Sequence, residues 1–161
     1  KMGLSFLLTT RGIPQLYYGT EILMDGDGGH HPNVRLDFPG GWSGDTVNAF
    51  TREGRSEEQN EAFDYLKKLL NWRKGKPVIH SGKLTHYIPE DNIYVYFRSN
   101  ESEQVMVVMN ANASVKELDM TRFSENTKNA KGALNVFTGE RIDGLKTISM
   151  PAMSAQVFEL F

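Results

Sequence analysis

The chain contains no cysteine among its 161 residues. This absence excludes a disulfide framework and a thiolate metal site, and it fits the cytosol and the periplasm equally well. The 18 basic and 20 acidic residues nearly balance, giving a formal charge of −2. Because no basic segment stands out, the composition argues against a nucleic-acid partner. No apolar run is long enough to cross a bilayer, so the sequence predicts no membrane partner.

The densest pattern in the sequence is GIPQLYYGTE at residues 12–21. Residues 15–18 are apolar and aromatic, which predicts a short strand that is buried on both faces. Gly12 favours the end of a preceding helix. Gly19 allows a sharp turn after the strand, and this turn brings Glu21 to the carboxyl end of the strand.

This segment resembles the last barrel strand of the α-amylase superfamily of glycoside hydrolases, also called glycoside hydrolase family 13. The superfamily pattern has Gly, Pro, Gly and Glu in the same order. The HPNVR and LDFPGGW segments at residues 31–42 are similar to the loop after that strand in neopullulanases and cyclomaltodextrinases. The Bacteroides-type neopullulanases are the most similar branch, and the resemblance extends through the remaining sequence to Phe161.

Two helices and a series of short strands follow from the apolar periodicity. Helical spacing predicts a helix over residues 2–9, and a capping box at Ser56 and Gln59 predicts a second helix over residues 56–75. From Pro77 the apolar period changes to two. Strands separated by turn residues are therefore predicted over residues 83–87, 92–98, 104–110, 115–119, 133–137, 147–150 and 156–160. A single helical turn is predicted over 120–123.

The predicted fold is mainly β, an antiparallel β-sandwich preceded by the last strand and helices of a (β/α)8 barrel. The resemblance implies that residues 1–76 contain the end of barrel helix 7, strand 8, a long loop and helix 8. Residues 77–161 are expected to form the C-terminal sandwich domain. Because the chain begins at Lys1 within a predicted helix, we interpret it as a fragment. The uncovered strand at residues 14–18 predicts a homo-oligomer.

Glycoside hydrolysis needs two carboxyl groups on either side of the scissile bond. In this superfamily they come from earlier barrel strands, so the resemblance implies that this chain contains no catalytic residue. The parent protein is expected to be a retaining hydrolase of α-1,4-glucans that binds α-glucans or maltooligosaccharides. The chain alone is predicted to be inactive, with a tail domain that stabilises the barrel.

The resemblance also provides candidates for substrate contacts. Related enzymes carry Asp-Pro-x-x-Arg in the loop after the last strand, and here Arg35 matches while His31 takes the place of the aspartate. Trp42 has two interpretations, stacking on a pyranose ring or pinning the loop by burial of the indole. Glu21, with Gly19 before it, is expected to support the active site or to pair locally.

No metal or cofactor is predicted for this chain. The DGDGG segment at residues 25–29 lacks the closing glutamate of a calcium loop, which favours a flexible turn. Adjacent His30 and His31 rarely meet on one ion without further ligands. Calcium in the parent would bind elsewhere. The resemblance implies a periplasmic protein and leaves the cytoplasm open.

An alternative function is a starch- or maltooligosaccharide-binding β-sandwich module. It requires two or three exposed aromatic side chains on one face of the sheet. Exposure of Tyr87, Tyr94 or Tyr96 would favour this alternative over a purely structural domain.

Overall fold

The computed structural model describes residues 1–26, 28–29 and 31–161, with His31 described by its backbone only. The calcium and histidine-pair interpretations involve Asp27 and His30, which lie outside the described residues. The chain divides into two compact units. One combines Lys1–Pro14 with Lys68–Phe161, and the other, which we call the loop unit, is Gln15–Lys67.

The described residues contain four α-helices. They are α1 (Met2–Thr9), α2 (Glu57–Lys74), α3 (Pro77–Ser81) and α4 (Ser124–Thr127). The first two begin and end within one residue of the predicted bounds, whereas the last two lie where the sequence predicts no helix. The predicted capping box of α2 is confirmed, because the Ser56 N–H donates to the Gln59 side chain at 3.0 Å and the Gln59 N–H donates to the Ser56 hydroxyl at 3.1 Å. Glu57 and Glu58 in the first turn complement the helix dipole.

Within the described ranges, eight strands form two antiparallel sheets, which confirms the predicted mainly β fold. They are β1 (Lys83–His86), β2 (Ile93–Ser99), β3 (Gln104–Asn110), β4 (Lys116–Asp119), β5 (Gly132–Asn135), β6 (Arg141–Asp143), β7 (Thr147–Met150) and β8 (Ser154–Leu160). The larger sheet has the order β1-β2-β3-β8-β5-β6, and β4 pairs with β7 in the smaller sheet. We call the part from β1 to β8 the β domain.

The hydrophobic core of the β domain lies on one face of the larger sheet. Alternate residues of β2, β3 and β8 supply Phe97, Met106 and Phe158, which the register places side by side. The smaller sheet contributes apolar side chains such as Ile148 from β7. Phe123, in the predicted helical turn Met120–Phe123, is fully buried in the same cluster. The period of two therefore sorts the strand residues between two faces.

The segment at residues 15–18 differs from the prediction. It has no regular secondary structure, so the buried strand predicted there is absent from the described residues. Ile13 is 98% exposed and Tyr17 is 59% exposed. A strand needs neighbouring backbone to pair with, and the described part of the chain places none beside this segment. The apolar pattern alone therefore does not make a strand.

Candidate functional site

The loop unit carries a surface groove of about 190 Å³. Tyr17 and Tyr18 form one wall, with ring centroids 4.6 Å apart. The Tyr18 hydroxyl donates to the Leu36 carbonyl at 2.9 Å, which ties the two sides of the groove together. The remaining wall is made by Met24, Asp25 and Val34. Aromatic faces beside a carboxylate suit a hydroxylated ring, because such a ring presents both C–H and O–H groups.

Desolvation raises the pKa of the Tyr18 phenol above its ordinary value. The hydrogen bond with Tyr17 and the negative charge of Asp37 act in the same direction, while the positive charge of Arg35 opposes them. The phenol therefore remains protonated at neutral pH and remains a hydrogen-bond donor.

Gly19 is required by the turn that follows the tyrosines. Its φ is +85°, and its carbonyl accepts hydrogen bonds from the N–H groups of Ile22 at 3.1 Å and Met24 at 2.9 Å. A Cβ at this position would lie 2.5 Å from the Met24 sulfur. Glu21 lies in the 3-10 helix Thr20–Ile22 and is half-buried. Its carboxylate has no ion-pair or hydrogen-bond partner among the described residues, so local pairing is not observed.

Arg35 follows the 3-10 helix His31–Val34, and its N–H donates to the Pro32 carbonyl at 3.1 Å. Its side chain is exposed, and the described part of the chain offers its guanidinium no hydrogen-bond or ion-pair partner. The backbone of His31 opens the same short helix, while the side chain of His31 lies outside the described residues. No described residue therefore occupies the Arg35 fork, whose planar donors suit an oxygen-rich ligand.

Trp42 is 71% exposed, so the loop unit does not bury its ring. Its backbone N–H donates to the Asp45 carboxylate at 3.0 Å, and this bond holds the turn that presents the indole. Burial of the indole as a pin for the loop is therefore not observed. The stacking interpretation stays a prediction.

The tyrosines of the β domain do not form an exposed platform. Tyr96 is 1% exposed, and its ring meets Phe6 edge-on at 6.1 Å. Tyr87 is half-buried and packs edge-on against Phe123 at 4.8 Å. Tyr94 is also half-buried. Because none of the three is fully exposed on a flat face, the structure counts against a sugar-binding module that uses these rings.

The second face of the larger sheet binds helices through polar side chains. The Trp72 indole N–H of α2 donates to the Glu159 carboxylate of β8. Lys76 lies 2.9 Å from Glu159 and 3.6 Å from Glu103, forming a half-exposed ion-pair group. These contacts fix the last turns of α2 on the β domain.

Arg98 is a further residue of this face that sequence reasoning missed. It is 1% exposed in β2, and it donates hydrogen bonds to backbone carbonyls outside the sheet. The only sequence signal was a charged residue within the otherwise apolar strand IYVYFRS.

The described residues contain no group of three or more histidine, aspartate or glutamate side chains arranged to hold a metal ion. Among the helices of the same residues, none combines the length and apolar character needed to span a bilayer.

Residues 84–159 match the family model of the cyclo-malto-dextrinase C-terminal domain. The β domain is a C-terminal domain of the α-amylase family. The cyclomaltodextrin glucanotransferase of Geobacillus stearothermophilus is 31% identical over 113 residues, which is 70% of this chain and 14% of that protein. The cyclomaltodextrinase of Geobacillus thermopakistaniensis is 29% identical over 139 residues, which is 84% of this chain and 20% of that protein. The chain thus spans a small part of these relatives.

Solved structures agree on the fold of this chain. The α-amylase of Geobacillus thermoleovorans, complexed with acarbose, superimposes with a TM-score of 0.75 at 24% identity, covering 99% of this chain and 32% of that one. AmyP in complex with maltose gives a TM-score of 0.73 at 20% identity, covering 98% and 33%. At these identities the likeness establishes the fold alone.

Proposed function

We propose that the chain is the C-terminal part of a retaining glycoside hydrolase acting on α-1,4-glucans, of the neopullulanase or cyclomaltodextrinase type. The observation that carries this proposal is the match of residues 84–159 to the cyclomaltodextrinase C-terminal domain. Relatives named cyclomaltodextrin glucanotransferase and cyclomaltodextrinase support an α-glucan or maltooligosaccharide as the ligand. The activity belongs to a longer protein, because these relatives are five to seven times longer than their matched segments.

In this proposal residues 1–76 belong to a catalytic barrel and residues 77–161 to the sandwich domain. The loop unit contributes sugar contacts from Arg35, whose guanidinium has no partner among the described residues, from His31 and from the exposed indole of Trp42. Glu21, placed by the Gly19 turn, supports the cleft without exchanging a proton with substrate. The reacting carboxyl groups lie in barrel strands outside this chain.

The β domain has a stabilising role in this proposal. The Trp72–Glu159 hydrogen bond and the Lys76 ion pairs support this role, because they attach the end of a long helix to the central strand β8. A domain that binds helices through buried and half-buried polar groups fixes their direction as well as their position.

The experiment compares the purified 161-residue chain with the full product of its gene on cyclodextrin, pullulan and starch. We expect no turnover by the chain and hydrolysis with retained anomeric configuration by the full product. Turnover by the chain alone would contradict the assignment of the reactive acids to another part of the protein. A full product without activity on any of the three glucans would contradict the proposed substrate class.

We also propose a periplasmic location, from the resemblance to periplasmic neopullulanases, and self-association of the isolated chain. The exposed apolar side chains of Ile13 and Tyr17 support association. Sizing chromatography from low to high concentration tests it, with a growing dimer fraction expected. A monomer at every concentration would count against self-association. Fractionation of cells tests the proposed periplasmic location.

A further inference from the structure

Two arginines meet the carboxyl end of α1. Arg73 of α2 donates to the Leu8 carbonyl at 3.0 Å. Arg98 of β2 donates to the carbonyls of Thr9 at 3.0 Å and Thr10 at 2.8 Å through the same Nη1 nitrogen. Three successive carbonyls of one helix end thus receive hydrogen bonds from guanidinium groups on two other elements.

These carbonyls are the groups that a helix leaves unpaired at its end, where the helix dipole also places partial negative charge. Arginine pairs these carbonyls and compensates the partial negative charge, because it carries a delocalised positive charge and several donors in a planar fork. The C-cap residue Thr10 has an extended backbone with φ −73° and ψ −178°. The chain therefore leaves α1 in an extended direction at the residue that Arg98 holds.

Arg98 is an unusual residue to bury. It is 1% exposed, its Nη2 donates to the Gly82 carbonyl at 2.9 Å, and its Nε has no partner among the described residues. All its acceptors are neutral carbonyls, and no carboxylate is paired with it in the described part of the chain. Desolvation lowers the pKa of Arg98, and the positive charge of Arg73 adds to this lowering. A hydrophobic residue would fill the same site without this desolvation penalty.

We propose that Arg98 is a positioning residue, which acts with Arg73 to fix the direction in which the chain leaves α1 towards the motif at residues 12–21. Through Gly82 it also joins the end of α3 to the end of α1. The sheet thereby sets the direction of the chain at Thr10, which precedes the segment that carries Gly19 and Glu21 in the sequence. We call the hydrogen bonds from Arg73 and Arg98 to the end of α1 the clamp. The functional consequence rests on the proposed function, whereas the clamp does not.

The clamp is tested by hydrogen exchange of backbone amides in the 161-residue chain. Arg98→Met removes the charge and the fork at similar volume, and we expect the Thr10 amide, which donates to Phe6, and the Gly82 amide to exchange about tenfold faster. The amide of Val107 in the sheet centre should change less than twofold. Exchange at Thr10 and Gly82 within twofold of the parent chain would overturn the proposal, as would equal acceleration at all three amides.

Two further variants keep the test decisive if Arg98→Met does not fold. Arg98→Lys keeps the charge and loses the fork, so the acceleration at Thr10 should be smaller than tenfold and still local. Arg141→Lys is the matched control, because Arg141 is an exposed arginine of the same sheet. It pairs with Asp143 in β6 and lies over the Phe161 ring at 3.8 Å, and neither contact involves α1. Equal exchange profiles for Arg98→Lys and Arg141→Lys would overturn the proposal.

The functional arm uses the full gene product and maltooligosaccharides. Arg98→Lys should raise KM about tenfold with kcat within about threefold, because a displaced cleft segment weakens sugar contacts without removing reactive groups. Arg141→Lys should leave both constants unchanged. A fall in kcat at constant KM would contradict the positioning role. A parent enzyme without glucan activity would refute the proposed function, whereas the exchange result would still decide the clamp.

Discussion

Asn110 at the end of β3 provides the sharpest test of how the β domain is held together. Its side chain is fully buried, and its amide nitrogen donates to the carbonyls of Ser114 at 3.0 Å, Met150 at 3.1 Å and Pro151 at 2.9 Å. Its side-chain oxygen accepts from the Asn112 backbone N–H at 3.0 Å. One amide therefore joins β3, the loop after it and the loop between β7 and β8.

The effect of Asn110→Ala depends on which partners of the Asn110 side chain keep another hydrogen bond. The Pro151 carbonyl keeps a bond from the Ser154 hydroxyl at 2.7 Å, so it remains paired. The Ser114 carbonyl and the Asn112 N–H lose their bonds to the Asn110 side chain. The Met150 carbonyl loses a buried bond, whereas the bonds at Ser114 and Asn112 are part-buried. At about 0.5–1.5 kcal/mol for each lost hydrogen bond, the expected loss in the free energy of unfolding is about 2–4 kcal/mol. The melting temperature should fall by about 5–15 °C.

The assay is urea unfolding followed by circular dichroism, analysed by linear extrapolation. Asn100→Ala is the matched control, because Asn100 caps an exposed turn with the same kind of side-chain acceptor, at 2.7 Å from the Glu103 N–H. We expect the control to lose less than about 1 kcal/mol. Equal losses for the two variants would refute the argument that burial sets the size of the effect.

Three further predictions concern other parts of the β domain. Phe123→Ala should destabilise it by about 3–5 kcal/mol in urea unfolding, because the buried ring leaves a cavity. Gly132→Ala should lose about 1–3 kcal/mol, since a Cβ would lie 2.4 Å from the Ile142 carbonyl. The hydrogen bond from the Thr121 N–H lowers the pKa of Asp119, so its stabilisation is present above about pH 4 and lost as pH falls. Asp119→Asn should therefore show a smaller loss of stability between pH 7 and pH 2.

Two control variants distinguish these effects from a nonspecific loss of stability. Phe50→Ala removes an exposed ring that lies 4.6 Å from the Phe38 ring, and it should change the free energy of unfolding by less than about 1.5 kcal/mol. Gly3→Ala places a methyl group in open space on α1 and should stabilise by about 0.5–1 kcal/mol. A Gly132→Ala variant as stable as Gly3→Ala would contradict the steric argument. An Asp119→Asn profile parallel to that of the parent chain would contradict the pKa argument.

Elements with strong local signals were predictable from the sequence. The helix at Met2–Thr9 and the strands Gln104–Asn110 and Thr147–Met150 have the predicted bounds, because their apolar periods match the burial they receive. The start of α2 was equally clear, since the Ser56 and Gln59 side chains act locally on the helix end.

Elements that depend on partners or on context were not predictable. The change of apolar period at Pro77 predicts an extended region, whereas Pro77 occupies the first turn of α3, where its missing N–H removes no hydrogen bond. Strand β6 has three residues at the sheet edge, too few for a period to appear. Arg98 ended a predicted strand, but its carbonyl partners in Thr9 and Thr10 lie almost ninety residues away, and only the folded chain brings them together.

The position of β8 has a consequence for the order in which the β domain forms. Ser154–Leu160 follows all other strands along the chain, yet it lies between β3 and β5 in the larger sheet. A ribosome therefore releases both neighbouring strands before the one that joins them. Until β8 is synthesised, β3 and β5 each have an unpaired strand edge, and we expect holdase chaperones to bind at these edges.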